Sequence, residues 1–293
     1  VVQYNGFSRA AEALFVTQPA ISRSIQKLEH ELGFPLLVRD TGGVTLTDEG
    51  AILYEHARRI LVQFQCMNKA LQDKSGPLTG TLNVGLPPVI ASTWFAGIIM
   101  AFTSRHPQVE LKIFELGTKQ MAEAMTDGMV ETAAVMLPFD EQLFELHRFA
   151  TDRLMLLVNH QHPLAAKKQV SFAEIIREPF VFFSEAFRIN DLVRSACGIY
   201  STEPVVAGRS NHLDLILAMV RAGVGITLLP DSMWRERTAD GLVLLPVTDP
   251  VLSYDLALAG VRGGYQSRSC RAWNALAMEI LGIPYVTGAG HLL

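Results

Sequence analysis

The sequence predicts a two-part chain of the α/β class, with helices and one small hairpin up to about residue 75, then alternating strands and helices. Three observations predict it. Before Ser75-Gly76-Pro77 the apolar residues recur at the three- and four-residue spacings of helices. After it, short β-branched or aromatic runs alternate with helical stretches, the signature of a parallel α/β sheet. Between them lies a helix-length segment whose apolar residues keep a strict 4-3-4-3-4 spacing.

Element by element, Ser8-Arg9-Ala10-Ala11-Glu12-Ala13-Leu14 reads as a short helix that Ser8 caps. Phe15-Val16 makes a turn, and Thr17 caps a second helix with Pro19 in its first turn. In that helix Ile21, Ile25, Leu28 and Leu32 form one stripe expected to be buried. Gln18, Ser22, Gln26 and Glu29 take another face, with Arg23 and Lys27 beside them. Gly33 ends the helix. Leu36–Arg39 and Val44–Leu46 flank Asp40-Thr41-Gly42-Gly43, a hairpin pattern. Thr47-Asp48-Glu49 opens a long helix with acids at its positive end. Its seam is Leu53, Ala57, Ile60, Phe64, Met67 and Leu71. A stripe this narrow suits a dimerisation coil better than the core of its own domain.

In the second part, strands are expected at Leu82–Gly85, Val109–Glu115, Glu131–Met136, Leu154–Val158 and Phe180–Phe183. Further strands follow near Val224–Pro230, Leu242–Val247 and Tyr254–Val261. Helices fill Pro88–Ser104, Thr118–Asp127, Phe187–Cys197, Asn211–Ala222 and Gln266–Leu281, and Ser171-Phe172-Ala173-Glu174 is a capping box.

Composition narrows the function. Almost half the residues are apolar, 18% are charged and the net charge is −4, as in an ordinary globular protein. No apolar run approaches the roughly 18 residues that span a bilayer, and Val1–Gly6 is no export signal. Cys66, Cys197 and Cys270 are scattered without a CxxC pair, which fits a reducing compartment. Residues 1–75 balance eight Lys/Arg against eight Asp/Glu, so a broad basic footprint is missing.

The stretch Phe7-Ser8-Arg9-Ala10-Ala11-Glu12, then Val16-Thr17-Gln18-Pro19-Ala20-Ile21-Ser22-Arg23-Ser24-Ile25, then Leu28-Glu29 and Glu31-Leu32-Gly33 closely resembles the DNA-binding motif of LysR-type transcriptional regulators. The likeness continues through Leu36–Arg39, Leu46–Gly50, Gly80–Gly85, His106–Leu111, His162–Ala165 and Gly225–Pro230. It implies a winged helix-turn-helix over 1–47, with its first helix cut short before Phe7, and a linker and dimerisation helix over 48–76. It implies next an effector domain over 80–283 that resembles periplasmic binding proteins. Lobe one would hold 80–159 and 262–283; lobe two would hold 160–261. The wing tip Thr41-Gly42-Gly43 departs from many relatives in lacking basic residues, which leaves a minor-groove or phosphate role there mainly to Arg39.

On this resemblance, double-stranded DNA with a pseudo-palindromic operator is the first partner. Thr17, Gln18, Pro19, Ala20, Ser22 and Arg23 would face bases. Gln can read adenine, Arg can read guanine or hold a phosphate, and Pro and Ala can contact a thymine methyl. Ser8, Arg9, Gln26 and Lys27 would hold phosphates. The second partner is a small-molecule effector, expected to be a partly apolar organic acid between the lobes. Thr118, behind Gly117, is either a simple cap or a carboxylate holder. Leu86, Pro88 and Val89 would offer an apolar wall, since Pro87 and Pro88 remove N–H donors. Ser184, Phe187 and Arg188 would close the site, with Arg188 open to an alternative as a surface ion pair; Asn211 and Thr227 are lesser candidates. The resemblance also implies a homodimer, a homotetramer, a cytoplasmic location and, for an activator, contact with RNA polymerase.

Rival readings fare less well. No phosphate loop, dinucleotide fingerprint, H-E-x-x-H or G-x-S-x-G occurs, so neither an enzyme, a cofactor nor a metal is expected. His160 and His162 are explained by a Pro-containing turn after a strand. A thiol redox sensor is the alternative regulator, weakened because Cys197 and Cys270 fall in different expected lobes.

Overall fold

In the computed structural model, residues 1–40, 43–72, 76–234 and 241–283 are described, without the side chains of 39, 40, 59, 63, 65, 66 and 68–72. The chain forms two compact units, Val1–Gln72 and Asp73–Leu293.

The first unit holds α1 (Phe7–Ala13), α2 (Gln18–Leu32), strands β1 (Leu37–Asp40) and β2 (Gly43–Leu46), and the long α3 (Asp48–Gln72). Thr17 and Gly33 bound α2 as expected, the latter at φ 83. Ser8 is not a cap: Gly6 precedes α1, and Ser8 lies inside it. The core is small. Phe7, Ala10, Ala11 and Ile21 are buried, with Ile25, Leu37 and Val44 packed against them. It covers only the first half of α2, so Leu28 and Leu32 stay exposed, against the expected four-residue buried stripe. With so few elements a domain buries less of its surface. Glu29, which spacing assigned to the solvent face, instead accepts backbone N–H bonds from Leu36 (2.8 Å) and Leu37 (3.3 Å) and ties the hairpin to α2. Asn5 Oδ1 accepts from Val44 N on the other strand, at 3.2 Å. Thr47 Oγ1 accepts from Gly50 N and donates to the Pro35 carbonyl, which fixes the start of α3.

The second unit begins with β3 (Gly80–Gly85). A helix follows that is broken by a π turn: α4 (Pro88–Ile90), Ala91–Phe95, then α5 (Ala96–Arg105). Next come β4 (Val109–Phe114), α6 (Thr118–Thr126), β5 (Thr132–Met136) and β6 (Phe144–Asn159). Then β7 (Val170–Ser171), α7 (Phe172–Ile175), β8 (Phe180–Phe183), α8 (Ile189–Ile199), β9 (Val206–Ser210), α9 (Leu213–Arg221) and β10 (Thr227–Pro230) follow. The chain closes with β11 (Leu242–Thr248), β12 (Ser253–Val261) and α10 (Arg268–Leu281). The capping box at Ser171 and Glu174 is formed.

The main sheet runs β4-β3-β5-β12-β6-β11-β7, with β10 also on β6. It is mixed rather than purely parallel. β3, β4 and β5 are parallel, but β12 runs antiparallel to β5 and β6. The long β6 extends ten residues before the Leu154 where its apolar run begins, because its first half is held by the ladder to β12. One core layer joins Leu82, Phe95, Phe102, Leu258 and Trp273; another joins Met121, Val135, Phe144 and Ala257. Farther along β6, Leu156 enters a layer with Phe172, Phe180 and Leu228, while its neighbour Leu157 enters one with Val181, Ile216 and Leu229. That alternation is the two-residue period of a strand buried on both faces.

Candidate functional site

At the start of α2, Gln18, Ser22 and Gln26 recur every four residues and so form one column of the helix; Pro19, Arg23 and Lys27 form the next. Ser22 is half-buried and the other five are exposed, as is Ala20. The Thr17 side chain makes no cap bond, and the first turn of α2 carries no acid. Of the positions expected to hold phosphates, Ser8 and Arg9 are exposed on α1, and Arg9 also donates to the Asn5 carbonyl beside the hairpin. Lys27 has a loose partner in Glu31 at 3.8 Å. The side chain of Arg39, and the tip at Thr41-Gly42, lie outside the described residues. On α3, Leu53 and Ala57 are half-buried, while Ile60, Phe64 and Met67 are exposed to 68%, 56% and 48% within the single chain. Leu71 falls outside the described side chains.

In the second unit one cleft collects residues from seven separate stretches of sequence. Pro88 and Val89 come from α4, Thr118 from the first turn of α6, Met136 from β5, Phe187 and Arg188 from the loop before α8, and Tyr254 from β12. Pro87, Ile90, Phe183, Ile189 and Pro230 complete a wall that is mostly apolar. Thr118 is not the cap of α6, since Gly117 takes that place; Thr118 is the first helical residue and is buried.

The cleft is narrow, with a volume of about 60 Å³. Three contacts tie together the stretches that flank it. Arg188 Nη1 donates to the Pro138 carbonyl at 2.5 Å. Lys119 Nζ lies 3.5 Å from Asp191 Oδ2. Gly117 packs directly on the backbone at Ala186, where a Cβ would stand 2.2 Å from the Ala186 oxygen. Only glycine permits that approach.

Four expected residues are not brought to the cleft wall. Leu86 is fully buried in the core beside Leu82 and Val84. Thr227 is buried, and its hydroxyl donates to the Val181 carbonyl at 2.8 Å. Asn211 is exposed ahead of α9. Ser184 serves through its carbonyl, which accepts from Phe187 N and from the side chain of buried Asn190.

Sequence spacing did not single out Asn190, Asp152 or Tyr254. Asn190 Nδ2 also donates to the Phe183 carbonyl at 2.9 Å, and so shapes the loop that carries Arg188. The Tyr254 hydroxyl donates to Asp152 Oδ2 (3.3 Å), which also accepts from Ser232 Oγ at 2.5 Å. Burial, and then the Asp152 charge, push the Tyr254 hydroxyl well above the usual phenol range. It therefore stays a neutral donor.

The remaining chemistry-bearing residues have structural work. His162 Nδ1 accepts from Leu164 N at 3.2 Å and its Nε2 lies 3.6 Å from Glu178, while His160 meets the Gly241 carbonyl. Among the described residues no group of three His, Cys, Asp or Glu could hold a metal ion. Cys197 and Cys270 are buried in separate clusters. Burial, and then Glu203, push the Cys197 thiol up.

Comparison with known proteins places both units. Residues 1–51 match the model of the bacterial regulatory helix-turn-helix protein, lysR family. Residues 75–281 match the LysR substrate binding domain. An uncharacterised HTH-type transcriptional regulator, YwbI of Bacillus subtilis, is 33% identical over 93% of this chain and 91% of its own length. The dual regulator OxyR of Escherichia coli is 28% identical over 85% and 82%. Among solved structures, a full-length OxyR variant from Pseudomonas aeruginosa superposes with a TM-score of 0.68 at 27% identity, covering 97% of this chain and 92% of that one.

Proposed function

The chain belongs to the LysR family of DNA-binding transcriptional regulators, and on that premise we propose that a small, partly apolar organic acid controls it from the cleft beside Arg188. It is a regulator and not an enzyme. The observation that carries the proposal is the convergence of Pro88, Val89, Thr118, Phe187 and Arg188 on one cleft. The apolar walls take the body of the ligand, and Arg188 with Thr118 takes its carboxylate.

A volume of about 60 Å³ is tight for an organic acid with an apolar body. Entry requires Arg188 to leave the Pro138 carbonyl and the rim at Gly117 and Ala186 to part. The ligand then selects a more open arrangement, and that shift is the signal. Residues 1–47 read DNA through Thr17 to Arg23, and 48–76 pair two chains along the Leu53–Leu71 seam, so the operator is pseudo-palindromic. In the effector domain, lobe one comprises 80–159 with 262–283 and lobe two 160–261, and the movement turns on β6 and β12. The same reading carries a homodimer, its assembly to a homotetramer, a cytoplasmic location, and RNA polymerase as a partner of an activator. No helix among the described residues is long and apolar enough to cross a membrane.

A thermal-shift panel of aromatic and aliphatic carboxylates, with matched amides and amines, tests the acid. Carboxylates stabilise the wild type, and Arg188→Ala weakens them about tenfold, the scale of one charge-assisted bond. Equal stabilisation by amides and acids would reject it.

The likeness to OxyR favours peroxide sensing as a second reading, since relatives at 27–28% identity are called hydrogen peroxide-inducible genes activators. The chemistry of Cys197 speaks against it: a sensing thiol needs a lowered pKa and access, and this one is buried and raised. Mass spectrometry after peroxide treatment decides, with a disulfide or oxidised Cys197 favouring the second reading.

A further inference from the structure

The second unit holds another groove, of about 250 Å³, away from the Arg188 cleft and sharing none of its lining. Its floor follows from register. Gly260 stands opposite Glu145, and Leu258 opposite His147, on the β12–β6 ladder. Opposed residues in an antiparallel pair share a face. Leu258 packs with Cys270 and Trp273, so this is the face that α10 covers. On α10, Arg271, Asn274, Ala275 and Met278 follow the i, i+3, i+4, i+7 spacing of a single stripe above it. Gly260 brings no side chain to the row it shares with Glu145, and the trough opens there, with Gln266 across it. A hydrogen bond from Thr132 Oγ1 to Asn274 Oδ1, at 2.8 Å, ties the wall on the β5 side.

The groove carries two opposite charges that do not pair with each other. Arg271 donates to the Gln266 carbonyl and has no carboxylate within 4 Å among the described residues. A guanidinium has five N–H donors, so most remain to be met. Among the described residues Glu145 approaches only the His147 ring, at 3.6 Å, a partner that is charged only when protonated. An anion alone would meet Glu145, and a cation alone would meet Arg271. Leu258, Ala259, Ala275 and Met278 add an apolar surface between them.

We propose that this groove is a second effector site, built for a small zwitterion of the α-amino acid class. Its carboxylate sits on Arg271, its ammonium on Glu145, and its side chain lies along Ala275 and Met278. The volume is that of about eight water molecules, which suits a free amino acid.

The test uses the full-length protein and the individual L-amino acids, read by thermal shift and then by calorimetry. For the best amino acid, the N-acetyl derivative and the methyl ester supply one charge each. The free amino acid binds at least about tenfold tighter than either derivative, the scale of one lost charge-assisted bond. Arg271→Gln removes binding of the amino acid and of its N-acetyl form. Glu145→Gln brings those two ligands level, a change of preference that a merely weakened fold would not produce. Failure of every amino acid to bind at millimolar concentration overturns the proposal. Binding that survives Arg271→Gln unchanged overturns it too, because the amino acid then sits elsewhere.

Discussion

The first 72 residues and the remainder place their apolar side chains to opposite ends. In the first unit one cluster of four buried side chains and a few half-buried ones supports helices whose polar columns stay on the surface. In the second, four clusters surround a strand buried on both faces, and the candidate sites are hollows inside or beside that packing. A protein that reads DNA needs exposed donors on a stiff but thin support. One that encloses a small molecule needs depth, since only a desolvated wall makes one guanidinium selective. The thin unit therefore has little margin, and the deep one has redundancy.

That contrast can be broken most easily at Phe7. Removing a buried aromatic ring costs about 3–5 kcal/mol, most of what a unit of this size holds in reserve. Phe7→Ala should abolish DNA binding, measured by fluorescence anisotropy, while the carboxylate-induced thermal shift of the second unit survives. Loss of both together would mean that the units are not energetically separate.

Thr227 tests the deep unit. If its hydroxyl serves the Val181 carbonyl and not a ligand, Thr227→Val lowers stability by about 1–3 kcal/mol through a buried unpaired acceptor. The ranking of carboxylates in the thermal-shift panel should not change. A reordered ranking would return Thr227 to the ligand wall.

Gln18 and Arg23 test the surface reading from the other side. Each alanine substitution should weaken the cognate operator by about 1–3 kcal/mol, relax preference at one base pair, and leave the melting temperature in place. Uniform weakening on all sequences would demote that residue to a phosphate contact.

The smallest effect lies at Glu174. Its carboxyl is held down to about 2 by the Lys167 ammonium, then by the Ser171 N–H and hydroxyl. A carboxyl with a depressed pKa stabilises the fold above its ordinary value near 4.5, and that contribution fades as the pH falls towards 2. Glu174→Gln should flatten the acid limb of the melting curve in that window. An unchanged limb would show that this exposed cap contributes nothing measurable.

What could be read from residues alone followed the range of the interaction. Helix ends were legible because their signals act within one turn: Thr17 and Gly33 mark the ends of α2, though Thr17 makes no cap bond, Thr47 precedes α3, and the Ser171–Glu174 box forms. Apolar periods placed β8, β10 and β11 because each packs its own run into a core. The first half of β6 was not legible, since Glu145, His147 and Arg148 interrupt any apolar period and the ladder to β12 supplies the order. Glu29 looked like a solvated acid until two backbone N–H groups seven and eight residues on closed over it. Leu28 and Leu32 looked buried because spacing reports a stripe and not whether anything covers it. In the cleft, helix-start and loop signals led to Thr118, Phe187 and Arg188. Tyr254 came from a partner 102 residues away, which no local pattern announces.

The flanking contacts at Gly117, Arg188 and Pro138 have a consequence for time as well as for affinity. A ligand cannot be captured on every encounter if the cleft must part first, so binding waits on the frequency of opening. The observed rate of acid binding should then level off as the acid concentration rises, at a plateau equal to the opening rate. The measured affinity is the intrinsic one scaled by the fraction of time the rim stands open. Loosening the rim alone, without touching any group that holds the acid, would make the regulator respond both sooner and at lower concentration.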